Sequence, residues 1–332
     1  MNKTASSPAS AEVTRLVCAS LSRVEGSVMD EMFAIRARHG LSTRPQVVRS
    51  ALLHISGWFV LWLEGPEEAV EAARERAALD PRNHHQQVIH RSCGPATLTE
   101  SFSAATTQVP ISPSAYGRCV LEARSGDAEP AAIWQRLSAP CIAPLTDAWP
   151  AVPRQYVALL AADANGPIEL LRSLGERNGT IVAHQRFASC DQYTADVGVT
   201  YLDLRMERCT RRILLLSRRA LGHELVRQSL ASLDTLVLVL GTRHSAAVQL
   251  AHSVPALLDS ISQRPCVHLV GHEGAVVELA EHVLHACTRT ARLDSDHLYA
   301  FLQSSAGAPA SPTGAYCSTA LQTAFAQELQ IC

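Results

Sequence analysis

SGWFVLWLEGPEEAVEAARERAALDPRN, residues 56–83, contains a strand and a helix joined by a short corner. Residues 58–63 are large and apolar or aromatic, a composition typical of a buried strand. Gly65 and Pro66 end the strand. The two glutamates that follow favour a helix start, because acidic side chains stabilise the positive end of the helix dipole. Small apolar residues then recur at helical spacing. The stretch therefore predicts half of a βαβ-type unit.

Strand and helix patterns on both sides extend this unit. They predict a strand at 13–20, a helix at 26–40 and a strand at 46–55 before it, and strands at 86–90 and 101–107 after it. The resulting order, βαββαββ, predicts a ferredoxin-like α+β sandwich with a sheet on one side and two helices on the other.

Two short motifs in this domain resemble the BLUF family, the bacterial blue-light sensors that bind a flavin. In that family a strand ends in Leu-Glu-Gly, and the helix after it leads into an Asp-x-Arg-His or similar turn. Here the chain reads Leu-Glu-Gly at 63–65 and Asp-Pro-Arg-Asn at 80–83. The resemblance covers residues 12–108 and implies the same ferredoxin-like fold in a bacterial protein.

The flavin-binding positions that the resemblance implies carry different residues in this chain. BLUF domains use a tyrosine on the first strand and a glutamine on the third, which hydrogen-bond each other and the flavin ring. The corresponding residues are Cys18 and Leu61. Thr43 stands at the asparagine that binds the ring edge, and Arg49 and Ser50 stand at the Thr-Gly of the second strand.

These replacements predict that the flavin-binding groups are lost. Leu61 has no hydrogen-bonding group, and a buried flavin carbonyl without a partner costs about 1–3 kcal/mol. Photochemistry in the family needs a tyrosine electron donor beside a glutamine, and the chain has neither at these positions. We therefore expect the fold without FMN or FAD. A BLUF-type photoreceptor with atypical chemistry is the alternative.

The rest of the chain predicts a second domain. Residues 109–153 are rich in proline and predict a helical extension that ends in a linker. Strands and helices alternate over 154–304, which predicts a doubly wound α/β domain. The two ends, 1–11 and 305–332, are predicted to be disordered tails.

The first loop of the second domain resembles the phosphate loop of small Ras-like GTPases, GxxxxGK[ST]. Ala161 stands at the first glycine and Gly166 keeps the second, whereas Pro167 and Ile168 stand at the lysine and the Ser/Thr. A phosphate loop binds through backbone N–H groups and the lysine charge. Because Pro167 removes one N–H and the cation together, we expect no bound nucleotide.

Later positions resemble the same family with further replacements. Thr194 or Thr200 lies where the switch threonine is expected. The sequence RALGHE resembles Asp-x-x-Gly-Gln-Glu, with Arg219 for the aspartate, Gly222 kept and His223 for the glutamine. No Asn-Lys-x-Asp motif follows the next predicted strands. An atypical GTP- or GDP-binding protein and an ordinary flavodoxin-like domain are the alternatives.

Composition narrows the classes of function. The 332 residues carry a formal net charge of −2, so charge indicates no nucleic-acid partner. No apolar run approaches the ~20 residues that span a bilayer, and the polar N-terminus is not typical of a signal peptide. The ten cysteines form no CxxC pair, which indicates reduced thiols and no metal site. His282 and His285 share a predicted helix face without a complete ligand set.

These patterns together predict a non-catalytic regulatory or scaffold protein of the cytoplasm. Both domains are expected to act as binding surfaces and not as an enzyme, since no GxSxG or HExxH motif is present. By resemblance, the expected partners are a small Ras-like GTPase, a roadblock-type regulator or a second copy of the chain, in a homo-oligomer or a hetero-complex.

Overall fold

The computed structural model describes residues 12–40, 47–124, 128–142, 154–162, 166–189, 195–206, 209–241, 243–259, 261, 264–271, 277–278, 280, 284, 290–293 and 295–303. The chain is a mixed α/β protein, so the fold class predicted from the sequence is confirmed. Thr43, Thr194, His282, His285 and both predicted tails lie outside the described residues.

By its contacts the chain divides into two compact units. Unit 1 comprises Met1–Pro140, His184–Val197 and His223–Gln228. Unit 2 comprises Cys141–Ala183, Gly198–Gly222 and Ser229–Cys332.

Strands and helices alternate along the chain. The described strands are β1 (Glu12–Ser22), β2 (Arg49–Ile55), β3 (Trp58–Gly65), β4 (Asn83–Pro95), β5 (Phe102–Gln108), β6 (Arg154–Ala161), β7 (Ala183–Ser189), β8 (Val197–Arg205), β9 (Thr210–Ser217), β10 (Thr235–Val239), β11 (Cys266–Val270) and β12 (Thr290–Leu293). The helices are α1 (Val28–Gly40), α2 (Glu67–Ala78), α3 (Pro113–Arg124), α4 (Pro130–Ser138), α5 (Gly166–Asn178), α6 (Glu224–Ser229), α7 (His244–Asp259) and α8 (Ser295–Gln303), and a 3₁₀ turn covers Arg218–Gly222.

Unit 1 is built on a sheet in the order β7-β5-β2-β3-β1-β4, in which residues 184–189 of β7 belong to the unit. The order β1-α1-β2-β3-α2-β4-β5 along the chain is the one predicted from the sequence. Neighbouring strands are antiparallel except β2 and β5, which are parallel. Strand β1 therefore lies between β3 and β4, because each helix crosses over one strand before the chain re-enters the sheet.

A tight hairpin joins β2 and β3. Ile55 pairs with Trp58, so only two residues form the loop. Ser56 and Gly57 both have positive φ, at 47° and 73°. Positive φ at both loop positions matches the twist of the flanking strands in two-residue hairpins. This turn sets the register of β3 and thereby decides which of its side chains face α1 and α2.

Helices cover both faces of the unit 1 sheet. On one face, Met32 of α1 and Val70 of α2 pack on alternate apolar residues of the strands, including Leu16, Cys18 and Phe59. On the other face, α3 and α4 cover the tryptophans of β3: Trp58 donates its indole N–H to the carbonyl of Pro113 at 2.8 Å, and Trp62 lies 6.0 Å from Trp134, ring centre to ring centre.

The strands of unit 2 follow the order β12-β11-β10-β6-β9-β8. All neighbours are parallel except β8 and β9, which are antiparallel. Leu159 of β6 packs under α5 and α8, while Ala158 and Leu160, which point to the other face, are also fully buried. Burial on both faces is typical of a doubly wound sheet.

Strand β12 was not predicted from the sequence. It has only four residues, TARL, too few for a strand period to stand out. β12 forms because it pairs with β11, and the local sequence gives no indication of this pairing.

Candidate functional site

A cavity of about 790 Å³ lies in unit 1 between α1, α2 and the sheet face that they cover. Its floor comes from β1, β2, β3 and β5, and its walls come from the two helices and from residues 80–86, which follow α2. The small side chains of α2, alanines 69, 72, 73 and 77, leave room that larger residues would fill. The volume is within the range of ordinary small-molecule sites.

The floor of the cavity is apolar. Leu52, Phe59, Leu61 and Phe102 line it, and the thiol of Cys18 lies among them. Cys18 and Leu61 are directly opposite each other on the paired strands β1 and β3. Opposite residues of an antiparallel pair have Cβ atoms about 4.5–5.5 Å apart, so these two side chains meet on the cavity face.

The thiol of Cys18 is neutral at physiological pH. Burial raises its pKa to about 12, against a smaller opposite effect of the positive charge of Arg74. The side chain is 1% exposed. The floor therefore carries no charge, and its polar groups are this thiol, a weak hydrogen-bond donor, and the hydroxyls of Ser20 and Ser50.

Cys18 should react with iodoacetamide at neutral pH at least about a hundredfold more slowly than the exposed Cys93, because only the thiolate reacts and burial also blocks access. Timed labelling followed by peptide mass spectrometry measures both rates in one sample. Equal rates at the two residues would show that the Cys18 thiol is ionised and accessible, contrary to this expectation.

The wall after α2 is a polar turn fixed by an ion pair. Asp80 accepts hydrogen bonds from Nε of Arg82 at 2.8 Å and from its backbone N–H at 3.0 Å. The guanidinium holds the pKa of Asp80 below its usual range, and the carboxylate raises the pKa of Arg82. The carbonyl of Arg82 accepts a hydrogen bond from the backbone N–H of Arg23 at 2.7 Å. Nη1 of the Arg82 side chain lies 3.3 Å from the carboxylate of Glu31. The turn is thus rigidly held, with the charge of Arg82 already compensated.

Two amide side chains on this wall carry unpaired oxygens. Asn83 donates from Nδ2 to the carbonyl of Ala77 at 3.0 Å, which fixes the orientation of its amide. Among the residues that the structure describes, its buried Oδ1 has no hydrogen-bond partner, and neither has the buried Oε1 of Gln86. Both residues line the cavity. Buried polar atoms are rarely left unpaired in folded proteins.

Two further arginines stand at the edge of the cavity. Arg38 of α1 and Arg76 of α2 line it and are exposed. Among the described residues neither forms an ion pair within 4 Å, although Arg38 is close enough to lower the pKa of Asp80. The edge is therefore positive overall.

The strand β3 is anchored at its end by Glu64, the acidic residue of the Leu-Glu-Gly motif. Its carboxylate is buried and accepts the indole N–H of Trp62 at 3.1 Å and the backbone N–H groups of Thr97 and Leu98 at 2.6 and 2.7 Å. The motif thus fixes the loop between β4 and β5 to the strand that carries Leu61.

Glu224 of α6 fastens the same loop. Its carboxylate accepts the backbone N–H of Thr99 and, at 3.0 Å, that of Glu100. By resemblance Glu224 belongs to the switch-like sequence RALGHE, and its contact with this loop was not predicted. A glutamate at a helix start is common, so the sequence did not indicate that Glu224 binds Glu100, 124 residues earlier in the chain.

The positions predicted from the BLUF resemblance separate into two groups. Cys18 and Leu61 line the cavity, and so does Ser50. Arg49 alternates to the opposite face of β2 and donates to the carbonyl of Leu98 at 2.6 Å. It places no charge in the cavity. Thr43 lies outside the described residues.

The positions predicted from the GTPase resemblance lie at two places. Ala161 is the last residue of β6, and Pro167 and Ile168 are in the first turn of α5. Arg219 and Gly222 are in the 3₁₀ turn after β9.

His223 is buried in unit 1, where a ring nitrogen lies 3.1 Å from the carbonyl oxygen of Ala195. It follows directly on the 3₁₀ turn, which belongs to unit 2. The switch-like sequence RALGHE is therefore divided between the two units, and Thr194 lies outside the described residues.

Other kinds of site were sought in the part of the chain that the structure describes. It holds no group of three or more His, Cys, Asp or Glu side chains arranged to bind a metal ion. None of its helices has the length and hydropathy of a membrane span. The cavity of unit 1 is therefore the candidate functional site.

Comparisons with known proteins give likenesses to BLUF structures. No family model and no curated protein matches the chain. Among solved structures, BlrP1 BLUF is similar at 22% identity and a TM-score of 0.24, over 27% of this chain and 62% of that one. BlrB, a BLUF protein in its dark state, is similar at 20% identity and a TM-score of 0.24, over 35% of this chain and 84% of that one. A bacterial light-regulated adenylyl cyclase is similar at 14% identity and a TM-score of 0.28, over 67% of this chain and 84% of that one.

The chain thus spans 62% of the length of BlrP1 BLUF.

Proposed function

We propose that this chain is a non-catalytic regulatory protein whose unit 1 binds a small organic ligand without flavin photochemistry. The observation that carries the proposal is the 790 Å³ cavity with Cys18 and Leu61 facing each other on its floor. A cavity of this size beside small side chains favours binding. The neutral thiol and the hydrocarbon opposite it offer no group for turnover or for electron transfer to a flavin.

The residues present do not fit a flavin. By the BLUF resemblance, the polar edge of the ring would lie against the strand positions of Cys18 and Leu61, where it meets a neutral thiol and a hydrocarbon. Each buried carbonyl or ring nitrogen left unpaired costs about 1–3 kcal/mol, a loss of roughly tenfold or more in affinity per group.

For unit 2 we propose a GTPase-like domain without a phosphate site. Its strand order supports this, because β8 is antiparallel to β9 and the central strand β6 lies between β9 and β10, as the Ras-like resemblance implies. The chain leaves β6 at the point where the strand order reverses, which is where open α/β sheets bind ligands. Pro167 and Ile168 follow in the first turn of α5 and offer a phosphate neither a cation nor a hydroxyl.

The partners proposed for this regulatory protein are proteins of the same signalling machinery. A small Ras-like GTPase, a roadblock-type regulator and a second copy of this chain are the candidates, on the analogy that domains which lose catalysis keep their binding surfaces. Glu64, at the end of the strand that carries Leu61, and Glu224 of α6 both accept hydrogen bonds from the loop between β4 and β5. A shift of Leu61 on ligand binding would therefore reach α6 through this loop.

The proposed function is tested with N-phenyl-1-naphthylamine, an uncharged apolar dye that fluoresces when bound. We expect saturable binding that Leu61→Trp weakens at least about tenfold, because the indole covers the part of the floor on which the apolar body of the dye would lie, and losing the burial of such a group costs about 1.5–3 kcal/mol. Leu61→Met, of similar volume, is the matched control and should bind like the unchanged protein. In parallel, protein mixed with FMN or FAD and then gel-filtered should be colourless.

Two results would contradict the proposal. Flavin that stays bound through gel filtration would favour the photoreceptor alternative. Dye binding that is the same in Leu61→Trp would show that the cavity is not the binding site. For unit 2, titration calorimetry with GTP, GDP and ATP in the presence of Mg²⁺ should give no binding heat, and micromolar binding would favour an atypical nucleotide-binding protein.

A further inference from the structure

We infer that the ligand of the unit 1 cavity is an organic anion, with an apolar body on the floor and an acidic group at the edge beside Arg38 and Arg76. The inference rests on the proposed function and adds the chemical class of the ligand.

The body of the ligand is set by the floor. Leu52, Phe59, Leu61 and Phe102 present hydrocarbon, and the thiol of Cys18 is uncharged. The hydroxyl of Ser50, also on the floor, is already directed to the carbonyl of Ser101 at 3.4 Å. A flat apolar or aromatic group is the part of a ligand that such a surface binds best, since it removes apolar area from water and leaves no polar atom unpaired.

The acidic group is set by the charge at the edge. The charged residues that line the cavity are Arg38, Arg76, Arg82 and Asp80, three positive and one negative. Asp80 and Glu31 compensate Arg82, while Arg38 and Arg76 have no ion-pair partner within 4 Å among the described residues. A cationic ligand would be repelled by this net positive edge, so the geometry favours an anion.

Two dyes with the same body separate these contributions. 8-Anilinonaphthalene-1-sulfonate carries an aromatic body, one N–H and a sulfonate, and N-phenyl-1-naphthylamine carries the same body and N–H without the sulfonate. We expect the sulfonate dye to bind about tenfold more tightly, as two partly exposed charge contacts allow. Fluorescence titration of the full chain gives both dissociation constants.

Variants of the edge assign the effect to residues. Arg38→Gln and Arg76→Gln should each weaken the sulfonate dye about threefold and leave the uncharged dye unchanged. Arg118→Gln, an exposed arginine of α3 that does not line the cavity, is the matched control and should change neither. Thermal unfolding of each variant checks that the fold is kept.

The outcomes distinguish this inference from the function on which it rests. Equal affinity for the two dyes, both lost in Leu61→Trp, would overturn the anion and leave the cavity as a binding site. Binding of the sulfonate dye that Arg38→Gln and Arg76→Gln do not weaken would also overturn it. Dye binding that Leu61→Trp does not reduce would overturn both.

Discussion

Replacing Arg212 by methionine is expected to lower the free energy of unfolding by about 3–5 kcal/mol, because it leaves a buried carboxylate without its cation. Asp203 and Arg212 are cross-strand partners on β8 and β9, and neither side chain is more than 1% exposed. Nε and Nη2 of Arg212 donate to the two oxygens of Asp203, each at 2.8 Å. The guanidinium also lies 4.7 Å from the ring centre of Tyr201.

The lowered pKa of Asp203 makes the stabilisation by the pair depend on pH. Burial raises this pKa, but the charge and hydrogen bonds of Arg212, with the N–H of Ile142, outweigh burial and hold it below its usual range. The stabilisation is therefore present above the unfolded-state pKa, about 3.9, and is lost as the pH falls through the lower folded-state value. The variant and the unchanged protein should consequently become more alike in stability in strong acid.

Denaturation in urea followed by circular dichroism measures this loss, with hydrogen exchange of β8 and β9 peptides to locate it. Asp203→Leu combined with Arg212→Met should recover part of the loss, since it removes the unpaired charge. Arg172→Met removes an exposed pair with Glu169 in the same unit and should cost less than about 1 kcal/mol. If Arg212→Met lowered the free energy of unfolding no more than Arg172→Met does, the buried Asp203–Arg212 pair would not have the stabilising role described here.

Installing tyrosine and glutamine on the cavity floor is expected to convert unit 1 into a flavin-binding module. Cys18 and Leu61 are direct cross-strand partners, so Cys18→Tyr combined with Leu61→Gln places a phenol beside an amide on the same face. The cavity has room for the larger ring. By the BLUF resemblance these two groups hydrogen-bond each other and the flavin, and two regained partners correspond to a gain of about a hundredfold in flavin affinity.

The measurement is the visible absorption of the variant after incubation with FMN or FAD and gel filtration, before and after blue light. A light-induced change of the flavin spectrum is expected in the double variant. Cys18→Phe with Leu61→Gln keeps the ring without the hydroxyl, so it should bind flavin more weakly and show no such change. A colourless Cys18→Tyr and Leu61→Gln protein that remains folded would show that these two positions are not what excludes flavin.

Local sequence was sufficient for most elements of unit 1. The alternation of apolar residues in β1, β2 and β3, the Gly-Pro corner before α2 and the glutamates in its first turn predicted the observed order. Each of these signals acts over one or two turns of chain, and each agrees with the contacts that the element makes in the fold. The short β12 gave no such signal and depended on its partner strand.

The candidate site was predicted in part. Reading the register from Leu-Glu-Gly placed Cys18 and Leu61 at corresponding positions, and the structure brings them together on one surface. The same count placed Arg49 among the site residues, but strand alternation turns it to the opposite face, where it binds the carbonyl of Leu98. The direction of a side chain on a strand changes with each residue, so an unaided count along the chain does not settle it.

The sequence by itself determined the α/β class, the order of elements in unit 1 and the loss of hydrogen-bonding groups at Cys18 and Leu61, because these follow from local periodicity and from the chemistry of single side chains. Only the tertiary structure decided that the space above them is an open cavity, that Arg38 and Arg76 stand at its edge, and that residues 184–197 and 223–228 belong to unit 1. Cavity volume and hydrogen-bond pairing depend on side chains far apart in the chain, whose relative positions only the packed core specifies.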